Sequence, residues 1–178
     1  VSQRISGYPR QPLEHYATPP WCVQIVARHL REQCKSIWAP ADSEASPLVQ
    51  ILRAEGFDVV ASCTPFLAHR TPPHDRVDGI ITNPPFGRGG QLASQFIAHA
   101  IALAPIVAML LRIDFDSAKT REHLFRDCRA FAHKIVLLDR VVWFEREGAA
   151  GPSENHCWML WNARHRGPPT ISYARRPS

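Results

Sequence analysis

Residues Asp78 to Gly90 constrain this chain more than any other stretch; they read Asp-Gly-Ile-Ile-Thr-Asn-Pro-Pro-Phe-Gly-Arg-Gly-Gly. The β-branched run from Val77 to Thr82 predicts a short buried strand. It stops at Asn83-Pro84-Pro85-Phe86, where two prolines can neither donate to a sheet ladder nor continue a helix. Asn83 is therefore expected to close the strand. Pro84 restricts Asn83 to extended backbone geometry and Pro85 does the same to Pro84, so the Asn83 amide and the Pro84 carbonyl project from a stiff corner. Phe86 then hangs an aromatic face beside them.

Such a corner suits a planar ring that carries an exocyclic amine. The Asn83 side-chain oxygen and the Pro84 carbonyl are two rigid acceptors for the two N–H bonds, and Phe86 can stack on the ring. The surrounding pattern predicts a parallel sheet. Ser36 to Ala39 reads as a strand, Pro40 to Ser46 as a loop, the Leu48–Leu52 run as a helix and Gly56 to Cys63 as the next strand. That sequence of elements is a right-handed crossover unit. Ahead of it, Thr18 is a suitable cap and Pro19 a suitable first-turn residue for a helix running to about Gln33. After the corner, Gly87 to Gly90 reads as a loop, Gln91 to Leu103 as an amphipathic helix, and Ile106 to Leu111 as an interior parallel strand. At its carboxyl end Arg112 and Phe115 are candidates for phosphate and base contact.

Further along, Ser117 to Phe131 reads as a short helix. Lys134 to Leu138, Arg140 to Phe144 and Asn155 to Trp161 read as strands, the last returning antiparallel. Residues Val1 to Glu14 read as an irregular leader and Gly167 to Ser178 as a loose basic tail. The 178 residues are expected to form one domain. Five cysteines with no Cys-x-x-Cys spacing fit reduced thiols and a cytoplasmic protein, and no apolar run is long enough to span a membrane. The spacing of His69 and His74 fits no standard metal site, so no metal is expected. A formal charge of +5, almost all of it arginine, permits a polyanionic partner.

Asn83-Pro84-Pro85-Phe86 after a buried strand resembles the catalytic motif of the amino-group methyltransferases, above all the adenine-specific DNA enzymes; relatives act on cytosine amine or protein glutamine. The resemblance implies a Rossmann-like class I α/β fold with a mostly parallel sheet of six or seven strands. It implies S-adenosylmethionine as cofactor and a nucleic acid, DNA first, as partner; with no room for a separate recognition domain, target selection would fall to the loops near Arg88, Phe115 or Gly148, or to a protein partner. Asn83, Pro84, Pro85 and Phe86 would be catalytic. Tyr16, Thr18, Pro40, Ala41, Asp42, Ser43, Ala45, Cys63 and Asn83 would line the cofactor, and Arg88, Arg112 and Phe115 would meet the substrate. No cysteine follows a proline, unlike in the enzymes that methylate the cytosine ring carbon.

The chain departs from the family at the cofactor loop. Ala39 stands where an acidic residue is expected, Ser43 and Ala45 where two glycines are expected, and Cys63 where a ribose-binding carboxylate is expected. Asp42 and Glu44, one step away, can compensate or can be solvated loop charges. Three readings therefore stand: an adenine methyltransferase, a methyltransferase acting on RNA or protein glutamine, and an inactive binding or assembly module with the same fold.

Overall fold

Alternation along the strands decides which helix covers which side of the sheet. On β4 (Ile106–Arg112), Ile106, Ala108 and Leu110 join one apolar cluster while Val107, Met109 and Leu111 join another. The first cluster is closed by α1 (Pro20–Leu30) and α2 (Pro47–Ala54), the second by α3 (Gln91–Leu103). Both faces of the central strands are thus buried, as the continuous apolar runs require. A computed structural model describes residues 17–62, 64–74, 77–143 and 155–177.

The remaining strands are β1 (Ser36–Ala39), β2 (Asp58–Ala61), β3 (Gly79–Thr82), β5 (Phe131–Leu137), β6 (His156–Asn162) and β7 (Thr170–Ala174). Among the described residues, seven strands lie in the order β2-β1-β3-β4-β6-β5-β7. The first four by sequence are mutually parallel, β6 runs antiparallel between β4 and β5, and β7 runs parallel to β5. This is the doubly wound, Rossmann-like class expected, with the antiparallel return where it was expected. Among the described residues, no helix is long and apolar enough to cross a membrane.

Four local expectations need correction. The stretch 167–178 is not a loose tail, because Thr170–Ala174 forms the seventh strand. Ser117 to Phe131 does not form an α-helix; it makes 3₁₀ turns at Phe115–Ser117 and Lys119–Leu124. The described part of Arg140 to Phe144 is irregular, with Val141 alone buried in the core. Thr18 is not the cap of α1: Pro19 holds that position and the helix ends at Leu30. Tyr16, Cys63 and Phe144 lie outside the described residues.

Candidate active site

In the strand order, the chain moves outward from β1 to β2 and then crosses back to β3. The order reverses between β1 and β3, and at such a switch point the loops part and leave a crevice outside the carboxyl ends of the strands. Asn83 is the first residue beyond β3, so the motif opens at that crevice. Thr82 is fully buried, and Asn83, Pro84 and Pro85 are buried after it; Phe86 is half-buried.

The loop that follows β1 comes to the same place. The Thr82 hydroxyl donates to the Asp42 carboxylate at 3.4 Å, and Asp42 is only 4 % exposed. Glu44, the other acidic residue of that loop, faces solvent and pairs with Arg53 at 2.6 Å. The two candidate compensating carboxylates are thereby separated: Asp42 belongs to the switch point and Glu44 to the surface. Ser46 caps α2 by accepting from the Val49 N–H at 3.3 Å, which fixes the exit of the loop. Ala39 is fully buried, and Pro40, Ala41, Ser43 and Ala45 complete the turn from β1 into α2.

Thr18 reaches the same edge from the other side of the chain. Trp158 Nε1–H donates to the Cys22 carbonyl at 2.9 Å, and Trp158 pairs with Leu110 near the carboxyl end of β4. At the other end of α1, the Asn162 amide donates to Gln33 at 3.4 Å, where Asn162 pairs with Ile106 at the amino end of β4. The first turn of α1 therefore points to the carboxyl edge of the sheet. Thr18, just ahead of it, is buried, and its hydroxyl oxygen finds no hydrogen-bond partner among the described residues.

A second group of side chains braces Phe86. Gly87 has φ 63° and ψ −174°, and a Cβ there would lie 2.8 Å from the Leu92 Cβ, so only glycine fits directly after the motif. The Phe86 carbonyl accepts from the Ala93 N–H at 3.4 Å, and its ring meets Phe115 edge-on with centroids 6.3 Å apart. Phe115 is 3 % exposed and lies under the Arg121 guanidinium, 3.9 Å from the ring centroid. Arg121 also donates to the Phe115 carbonyl and, at 3.3 Å, to the Gly89 carbonyl. Burial lowers its pKa from the usual guanidinium range, opposed by Asp114 and Asp116, and it stays charged.

Sequence reading missed Arg121, which sits in a charged segment with no periodic signal. The only available sign was its proximity in sequence to Phe115. Of the expected substrate residues, Arg88 is exposed on the glycine loop, Arg112 bonds Asp114 through two 3.2 Å contacts, and Phe115 is interior, behind Phe86. Phe66 packs against Trp38 and Phe96 in the core. Burial pushes the Cys34 and Cys157 thiols up to about 12 and Cys22 higher still, so these are not thiolate nucleophiles near neutral pH.

No family model and no curated protein matches the sequence. Solved structures do match the fold. A candidate RNA methyltransferase from Pyrococcus horikoshii superposes with a TM-score of 0.62 at 13% identity, covering 89% of this chain and 92% of that one. A candidate class I S-adenosylmethionine-dependent methyltransferase from Listeria monocytogenes gives 0.61 at 13% identity, over 96% of this chain and 68% of that one. The type IIG restriction endonuclease BpuSI gives 0.57 at 10% identity, over 88% of this chain and 26% of that one. This chain shares the Rossmann-like fold of these structures.

Proposed function

We propose that this chain is an S-adenosylmethionine-dependent methyltransferase that modifies an exocyclic amine, first of all that of adenine in DNA. One observation carries the reading: Asn83-Pro84-Pro85-Phe86 follows β3 directly, beside the point where the strand order reverses. Asn83 and the Pro84 carbonyl accept the two amine N–H bonds from outside the ring plane, which draws the nitrogen toward a tetrahedral shape and frees its lone pair. Phe86 stacks on the base, held by Phe115 and Arg121 behind it.

The cofactor, when bound, supplies a methyl group on a sulfonium centre. Two features of the described residues fit such a cationic, polar ligand: the buried Asp42 carboxylate and the unspent Thr18 hydroxyl. Asp42 and Thr18 would hold it, with Asn83, the Pro40-Ala41 turn, Ser43 and Ala45 around it and Tyr16 and Cys63 as further candidates. A base inside duplex DNA has to be flipped out to reach this corner, and Arg88, which is exposed, would meet the backbone. A protein partner would supply target selection. RNA as the polymer is supported by the likeness to the Pyrococcus protein, and protein glutamine offers a comparable amide nitrogen.

A second reading, an inactive binding module, is favoured by Ala39, Ser43 and Ala45 in place of an acidic residue and two glycines. Calorimetric titration with S-adenosylmethionine separates the two. Binding by folded wild-type protein, abolished by Asp42→Ala, supports the enzyme; absence of heat at millimolar cofactor supports the module.

A further inference from the structure

β7 ends the strand order and pairs, among the described strands, with β5 alone. Its inner edge reveals what the outer edge offers. The Ala174 carbonyl accepts from the Leu138 N–H, and the Arg176 N–H donates to Asp139. Even-numbered residues therefore turn their backbone groups toward β5, and Ile171 and Tyr173 turn theirs outward. Side chains alternate across the sheet instead. The Thr170 and Ser172 hydroxyls bond the His133 ring at 2.6 and 2.8 Å, and Ala174 packs on the cluster closed by α1 and α2. Ile171 and Tyr173 stand on the opposite face, 60 % and 67 % exposed.

Natural sheets blunt such edges with charges, prolines or bulges, because an exposed apolar edge recruits another strand. At the far end of this sheet, Arg53 donates to the Val59 carbonyl of β2 at 2.7 Å. Thr170–Ala174 carries no charge within its five residues. Its flanks, Pro168-Pro169 and Arg175-Arg176, limit pairing to that short run.

We propose that β7 joins two copies of this chain by pairing antiparallel with itself, with the two-fold axis at Ser172. In that register Ile171 faces Tyr173 of the other copy, twice, and both pairs have their backbone groups turned outward to exchange four N–H···O bonds. A β-branched residue opposite an aromatic is a favourable cross-strand pair. The charges agree with it: Arg175 lies opposite Pro169, not opposite another arginine, and the ladder ends where Pro169 lacks an N–H. An axis at Ile171 would set Tyr173 against Pro169, and an axis at Tyr173 would set Ile171 against Arg175. Only the Ser172 axis gives both Ile171 and Tyr173 an apolar partner from within the strand.

Light scattering on a sizing column tests this independently of the methyl-transfer reading. Wild-type protein should approach twice the 20.1 kDa chain mass as concentration rises. Tyr173→Lys, which puts a charge in place of the aromatic partner of Ile171 in both pairs, and Ile171→Pro, which removes two outward N–H groups without touching the inner ladder, should return it to the single mass. The register has its own test. The facing Ser172 residues form a non-hydrogen-bonded pair with Cα atoms about 4.5 Å apart, within disulfide reach. Oxidised Ser172→Cys should run as a covalent dimer on a non-reducing gel, whereas Ile171→Cys, offset by two residues from its own copy, should not. A wild-type monomer at every concentration, a dimer indifferent to Tyr173→Lys, or equal cross-linking at both positions overturns the proposal. So does a monomer whose binding to single-stranded RNA is lost with Tyr173→Lys.

Discussion

Gly87→Ala is the most quantitative test of how the corner at Asn83 is held. Gly87 occupies a backbone region that is essentially reserved for glycine, φ 63° with ψ −174°, and holding another residue there costs about 1–3 kcal/mol. The added methyl would also lie 2.8 Å from the Leu92 Cβ, an atom fixed to the first turn of α3. Overpacking of that kind costs about 1–3 kcal/mol more. The sum, about 2–6 kcal/mol, is a large share of the roughly 5–15 kcal/mol that keeps a domain folded. Gly89→Ala is the control, since Gly89 has φ 61° and ψ 16° with nothing within 4 Å of the added atom. Its cost is the left-handed penalty alone, about 1–2 kcal/mol. Urea melts followed by circular dichroism should show the larger loss for Gly87→Ala, with equal slopes. If the two variants agree within about 0.5 kcal/mol, the ordinary scatter of surface substitutions, the described corner is wrong.

Trp158→Phe removes the donor to the buried Cys22 carbonyl and should cost about 1–3 kcal/mol in the same melts. Arg121→Ala frees the glycine loop from its carbonyl contact and its stack, so limited trypsin digestion should cut faster after Arg88 than in wild type. Burial holds the His29 and His133 imidazoles below their usual 6.5, with His29 adding repulsion at His133. The unfolded chain then binds protons that the folded chain refuses, so stability falls as pH drops below about 6.5 and on through the lowered folded values. Urea midpoints should fall between about pH 7.5 and about pH 5.5, and replacing both histidines with asparagine should flatten the change.

The strands with dense apolar runs were readable from sequence because their burial on both faces leaves no polar residue to confuse the pattern. Gly79–Thr82, Ile106–Arg112 and His156–Asn162 are such cases. β7 was not readable: its two apolar side chains face outward, and the adjacent prolines and arginines look like a loop. Tertiary pairing with β5 makes it a strand. The segment after Asp114 misled for the opposite reason. Its Leu124 and Phe125 suggest a helix, yet they are anchored by the core around Trp161, whose indole N–H donates to the Leu124 carbonyl at 2.8 Å. At the site, the Asn-Pro-Pro-Phe corner was legible because proline geometry is local. The assignment of Asp42 rather than Glu44 to the switch point was not, because it depends on Thr82, forty residues away.

Transfer of tritium from methyl-labelled S-adenosylmethionine tests the amino-group assignment most directly. Folded wild-type protein should label a DNA polymer, or an RNA one, at the exocyclic amine of adenine, and Asn83→Ala should still bind the cofactor, which Asp42 and Thr18 hold, yet transfer nothing. Equal transfer by Asn83→Ala, or no label in any polymer from protein that binds the cofactor, would contradict it.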